Sequence, residues 1–141
     1  MMKYLVILLF AGSVTAVSCM SHRHKNDDRL CTTEYRMLTI SIKDINAKPV
    51  QLSDYFVRKT STGEIIDFAN ESPYIDSINR LQGIYFICTD GMMGMTSLQG
   101  TEFEFHGMLD SAEIVNEPYI IANDECHVYM LAGNPEIILT R

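Results

Sequence analysis

Two stretches of strict alternation constrain this chain more than anything else in it. In EYRMLTISIKD, from Glu34 to Asp44, the apolar Leu38, Ile40 and Ile42 interleave with Thr39, Ser41 and Lys43. In TEFEFHGML, from Thr101 to Leu109, Phe103 and Phe105 point one way while Glu102, Glu104 and His106 point the other. Strand side chains leave opposite faces of the backbone with a period of two, so each stretch predicts a strand with one apolar and one wet face. Half-wet strands of this kind pair antiparallel and bury their apolar faces against a second layer.

The rest of the chain repeats the theme in shorter pieces. Tyr55, Phe56 and Val57 form a β-prone run after the turn Asn46 to Pro49, and Gly63 in Ser61-Thr62-Gly63 offers a tight reversal into Ile65 and Ile66. From Gln82 to Thr89, Ile84, Phe86 and Cys88 share one face and Tyr85, Ile87 and Thr89 the other. Asp90-Gly91 ends that run, and Gly94 and Gly100 bracket a Met-rich loop or hairpin. Ile114 to Ala122, His127 to Leu131 and Glu136 to Thr140 read as strands separated by Asn123-Asp124 and Gly133-Asn134-Pro135. Ala69 to Arg80 reads as a loop in which Ile75 to Leu81 has room for one helical turn. The fold class that follows is all-β: a single antiparallel β-sandwich of about seven or eight strands over residues 31–141.

Four cysteines are present. Cys88 shares a face with Ile84 and Phe86, which suits a buried free thiol. Cys31 and Cys126 both stand at strand starts outside the alternating core positions, and their pairing would pin the first strand to the penultimate one. Pairing of Cys88 with Cys126 is the alternative.

The first nineteen residues have a different character. Lys3 precedes an apolar run from Tyr4 to Phe10, and small and β-branched residues lead from Ala11 to Ser18 and Cys19. This is the layout of an export signal, and its apolar run is shorter than the roughly 20 residues that cross a bilayer as a helix. Ala16-Val17-Ser18-Cys19 resembles the lipobox of bacterial lipoproteins, which implies a signal peptide over residues 1–18 and acylation at Cys19. MSHRHKNDDR has almost no apolar content, so residues 19–30 read as a flexible tether. The expected location is the bacterial cell envelope, on the periplasmic or cell-surface face, with the membrane engaged through acyl chains on Cys19.

TISIKDINAKPVQLSDYFV resembles the first hairpin of transthyretin-like, carboxypeptidase-regulatory-like β-sandwich domains. GTEFEFHG and EPYIIANDECHV resemble small envelope lipoproteins of the Bacteroidetes built on that sandwich. The resemblance implies fold and compartment and brings no catalytic residues. Asp76-Ser77-Ile78 and Asp110-Ser111-Ala112 resemble the three-residue O-glycosylation sequon of the same group.

Charge and motif content narrow the function. The chain carries a net charge of −7, which becomes −8 once Lys3 leaves with the signal. From Leu81 onward Arg141 alone faces nine acids. Nucleic acid and anionic headgroups demand clustered cations, so neither is an expected partner. No G-x-S-x-G elbow, H-E-x-x-H or phosphate-cradling glycine loop accompanies His106 and His127, and the chain is expected to be non-enzymatic and to use no cofactor. Glu102 and Glu104 on one strand face read as a solvated pair. Asp124, Glu125, Cys126 and His127 offer mixed ligands, with His106 in reserve, but lack zinc spacing. His22 and His24 read as part of the tether. Met92, Met93 and Met95 could suit a soft metal ion, although methionines folded onto an apolar surface are the better explanation. The expected function is therefore a non-enzymatic binding or assembly accessory module for an envelope protein or glycan. Soft-metal handling is the alternative, followed by hydrolysis. The Met92 to Met95 loop and the acidic strand Glu102 to His106 are the candidate contact surfaces.

Overall fold

A computed structural model describes residues 30–68 and 73–140, so Cys19, the signal and the tether up to residue 29 lie outside the described residues. The strands are β1 (Met37–Asp44), β2 (Asp54–Lys59), β3 (Ile65–Ile66), β4 (Ile84–Thr89), β5 (Thr101–Leu109), β6 (Ala112–Asn123), β7 (Val128–Ala132) and β8 (Glu136–Leu139). The α-helix α1 (Pro73–Leu81) precedes β4, and a 3-10 turn (Asp90–Met95) follows it. The strands form a sheet of three, ordered β4-β1-β8, and a sheet of five, ordered β3-β2-β5-β6-β7.

The two sheets share one apolar core. Ile40 and Ile42 of β1 and Tyr85 and Ile87 of β4 are buried in the same cluster as Tyr55, Val57, Phe103, Phe105, Tyr119 and Ile121 of the larger sheet. Tyr85 meets Tyr55 edge-on at 5.1 Å and Phe105 at 6.0 Å. Buried phenols need partners, and these have them. Tyr85 donates to Val50 O at 2.7 Å and accepts from Leu52 N–H at 2.8 Å, while Tyr55 donates to Asp76 Oδ1 at 2.8 Å. Burial raises the pKa of both hydroxyls.

Between the named strands, pairing is antiparallel except at one place. β8 lies parallel to β1, with Ser41 opposite Glu136 and Asp44 opposite Leu139, which corrects the expectation of a wholly antiparallel fold. The Gly133-Asn134-Pro135 connection is the cause. Pro135 has no N–H to give a hairpin ladder, and its carbonyl instead accepts from Ser41 N–H at 2.9 Å. Gly133, at φ 133°, passes so close to Tyr119 that a Cβ there would sit 2.2 Å from the ring. Tyr119 in turn donates to Asn134 O at 2.8 Å. The chain therefore leaves the sheet of five and enters the sheet of three beside β1.

Several other expectations are corrected. From Pro73 onward the loop reading gives way to the nine-residue α1, which is longer than the single turn expected over Ile75 to Leu81. Pro73 is preset for a first helical turn, Asp76 and Arg80 pair four residues apart with the helix dipole, and Gly83 at φ 66° follows the helix end. β4, apolar on both faces in the sequence, is buried on both: Tyr85, Phe86, Ile87 and Cys88 are all buried, and Phe68 packs on Phe86 with ring centres 5.9 Å apart. The Met-rich stretch is the 3-10 turn, with Met92 buried and Met93 and Met95 packed against the core. His106 is 2% exposed rather than wet. Its cross-strand neighbour Phe56 stacks on the ring at 4.6 Å and excludes water from that face. Among the described residues no helix is long and apolar enough to cross a membrane.

Candidate functional site

Cys31 and Cys126 are joined by a disulfide, with 5.4 Å between their Cα atoms. Cys126 stands just before β7 as expected, but Cys31 lies six residues upstream of β1, in a leader that the disulfide fastens to the β6–β7 turn. Asp124 shapes that turn by accepting from Cys126 N–H at 2.9 Å and His127 N–H at 2.7 Å. Cys88 remains a buried free thiol, its pKa pushed up to about 12 by burial.

Beside the disulfide runs a line of three side chains. Asp90, at the end of β4, accepts from His127 Nδ1 at 2.7 Å. An ionised carboxylate only accepts, so Nδ1 carries the proton and Nε2 is left to accept from the Thr32 hydroxyl at 2.8 Å. Burial acts to raise the Asp90 pKa, but hydrogen bonds from Arg36 N–H, His127 and Val128 N–H overcome it and hold the carboxyl below its ordinary range. The order acid, imidazole, hydroxyl has two chemical consequences: it fixes the leader to the turn, and it polarises an exposed hydroxyl. His127 was visible in the sequence, but nothing there tied it to Asp90 or Thr32, which lie 37 and 95 residues away.

A second cluster surrounds His106 at the opposite reach of β5. Arg58 Nη2 donates to Nε2 at 2.6 Å, and Nδ1 donates to Glu113 Oε2 at 3.1 Å. That hydrogen bond lowers the Glu113 pKa. Glu104 approaches Arg58 Nε at 3.4 Å. His106 and His127 thus serve separate networks, and the four residues Asp124 to His127 are not a ligand set: the Cys126 sulfur is in the disulfide and both His127 nitrogens are engaged. Among the described residues no group of three or more His, Cys, Asp or Glu is placed to hold a metal ion.

The wet face of β5 opens into a cleft of about 460 Å³. Glu102 and Glu104 from β5 and Glu117, Pro118 and Ile120 from β6 line it, with Asn134 at its rim. The register explains the arrangement, because Glu102 sits opposite Ile120 and Glu104 opposite Pro118 on the outward face. Glu102 and Glu104 were legible as a wet pair. Glu117 was not, since it pairs with the inward Phe105 and alternates with the outward Pro118, yet it still lines the same opening.

These features define a disulfide-closed β domain of two sheets with an acidic cleft on the larger one. Comparison of the chain with protein-family models, with curated proteins and with solved structures gives no match.

Proposed function

We propose that this chain is a lipid-anchored protein of the bacterial cell envelope, attached through acyl chains on Cys19, and that its domain is a non-enzymatic binding or assembly module. The observation that carries the binding reading is the acidic cleft, whose lining includes Glu102, Glu104 and Glu117 together with the apolar Pro118 and Ile120. Carboxylates beside apolar floor suit a partner that presents cations or hydroxyls, such as a basic protein segment or a glycan. The absence of tryptophan from the chain favours the protein segment, because sugar stacking draws on large aromatic faces. The Cys31–Cys126 disulfide fits an oxidising compartment. Two facing sheets with a shared core support the transthyretin-like sandwich reading, of which β8 beside β1 is a local variation.

In situ crosslinking from a photoreactive residue at Glu117 in the native envelope tests the binding reading. A discrete adduct lost in a Glu102→Gln, Glu104→Gln variant is expected, and recovery of neighbouring lipid alone overturns it. Anchoring is tested separately: Cys19→Ala should release the protein from membranes, and unchanged retention contradicts the lipoprotein reading.

One observation favours hydrolysis as a second reading, namely the Asp90, His127, Thr32 line. A fluorophosphonate probe followed by peptide mapping decides it: an adduct on Thr32 lost in His127→Gln supports a nucleophile, and an unlabelled Thr32 ends that reading.

A further inference from the structure

Helix α1 is packed with its polar side inward. Asp76 is 5% exposed, whereas Tyr74 is 78%, Ile75 45%, Ile78 39% and Leu81 62% exposed. These four apolar residues recur at the spacing of a single helix face. The inward side is held by polar contacts: Arg80 pairs with Asp76 at 2.5 Å and donates to Leu52 O at 3.1 Å and Ser53 O at 2.9 Å. Asp76 and Arg80 are the only charged residues of the helix, and each satisfies the other. The outward face is consequently uncharged, and an amphipathic helix normally buries such a face.

We infer that this face of α1 docks on the zwitterionic surface of the phospholipid bilayer, resting on the reading that Cys19 is acylated. Three considerations select that occupant. Four side chains expose on the order of 400 Å², about half of the roughly 800 Å² per partner that a stable complex needs, so a second copy or a free protein would be held weakly. A tethered domain needs far less, because an acyl anchor keeps the face near lipid and a small second contact suffices. The chain also has the reach. The twelve residues from Cys19 to Cys31 extend to at most about 40 Å, more than the roughly 27 Å of the eight-residue β1.

Charge distribution points the same way. α1 is fastened at Leu52 and Ser53, where β2 begins opposite the Met108 end of β5. Glu102 and Thr60, at the cleft, stand at the other end of these strands, about 20 Å away at strand rise. Docking through α1 brings its uncharged face to lipid and keeps Glu102 of the cleft at the far end of these strands, while Asp54 and Glu113 stand at the α1 end, so the surface that suits it is zwitterionic and not anionic. Tyr74, with an apolar ring and a polar tip, suits the headgroup boundary.

The chain contains no tryptophan, so Tyr74→Trp in the full chain gives a single indole reporter. The purified protein is reconstituted into phosphatidylcholine vesicles with and without brominated acyl chains, and its intact mass is measured alongside. The expected result is blue-shifted indole emission that loses most of its intensity to bromine. The same protein carrying Ile75→Ser, Ile78→Ser and Leu81→Ser should remain anchored but emit as in water. Acylated protein whose indole emission stays at the water position overturns the inference while leaving the anchor intact. A shift that depends on protein concentration and not on lipid overturns it in favour of a second copy, and a glycan mass on Ser77, which neighbours the face, also overturns it. A chain with no acyl mass removes the anchoring reading instead; with excess vesicles, bromine quenching then supports docking on its own and lack of quenching ends it.

Discussion

His127 donates from Nδ1 to Asp90 Oδ2 across 2.7 Å, joining the turn before β7 to the end of β4 only one residue from the Cys31–Cys126 bridge. The carboxylate also accepts from Arg36 N–H and Val128 N–H, so it organises leader, turn and strand at once. Asp90→Asn would turn an amide donor toward groups that themselves donate. The expected loss is about 2–3 kcal/mol at neutral pH, read as a lower urea midpoint with an unchanged slope.

The same carboxyl gives a pH signature. Its folded pKa lies below the ordinary 3.8, so its contribution is fully present above that value and disappears as pH falls through the depressed one. Glu113 behaves alike relative to its ordinary 4.5, through its hydrogen bond from His106. Stability of the natural chain should therefore decline below about pH 4, and the gap to Asp90→Asn should narrow over the same interval. Urea titrations from neutral to acidic pH check this; a gap that widens on acidification contradicts the assignment.

The cysteines make opposite predictions. The bridge closes a loop with a sequence separation of 95, for which chain entropy suggests about 4 kcal/mol. Cys31→Ala with Cys126→Ala should lower the urea midpoint accordingly. Cys88, buried and with its thiol pKa pushed up to about 12, should resist alkylation in the native protein and react only on unfolding. Mass spectrometry after iodoacetamide, with and without urea, separates the two.

What was legible in the sequence follows from what local pattern encodes. Leu38, Ile40 and Ile42 announced β1 and Phe103 and Phe105 announced β5, because period-two alternation is a local property. The Cys31–Cys126 pair was readable because Cys88 occupied a core position. The pattern shows only one turn of α1, over Ile75 to Leu81, because the helix's apolar residues face solvent and its polar Asp76 and Asn79 carry loop signals. His106 sat in a wet slot of the alternation, and only Phe56 across the strand pair buries it. The parallel placement of β8 and the meeting of Thr32 with His127 depend on long-range register, for which short-range pattern carries no signal.

Asp76 tests the inward polar side of α1. Its carboxylate takes the Tyr55 hydroxyl at 2.8 Å and Arg80 Nε at 2.5 Å. Asp76→Ala leaves a largely buried guanidinium and a phenol without their partner, and a loss of about 3–5 kcal/mol is expected. Asp76→Ala in an Arg80→Met background should cost much less, because the stranded cation is gone. Equal losses in the two backgrounds, measured by chemical denaturation, would show that the pair is not coupled.

Neutralising the cleft separates binding from stability. Glu102 is exposed, and the Glu104 to Arg58 pair is over a third exposed on both sides, so the latter contributes at most about 1 kcal/mol. Replacing Glu102, Glu104 and Glu117 by Gln also relieves like-charge crowding across β5 and β6. The melting temperature should therefore move little, while capture of a cationic or hydroxyl-bearing partner through Glu117-proximal crosslinks should fall sharply. The Glu113→Gln variant is the control, because it removes an acid of the same sheet that belongs to the His106 cluster rather than to the cleft. Equal loss of capture in both variants would mean that net acidity, not the cleft, governs the interaction.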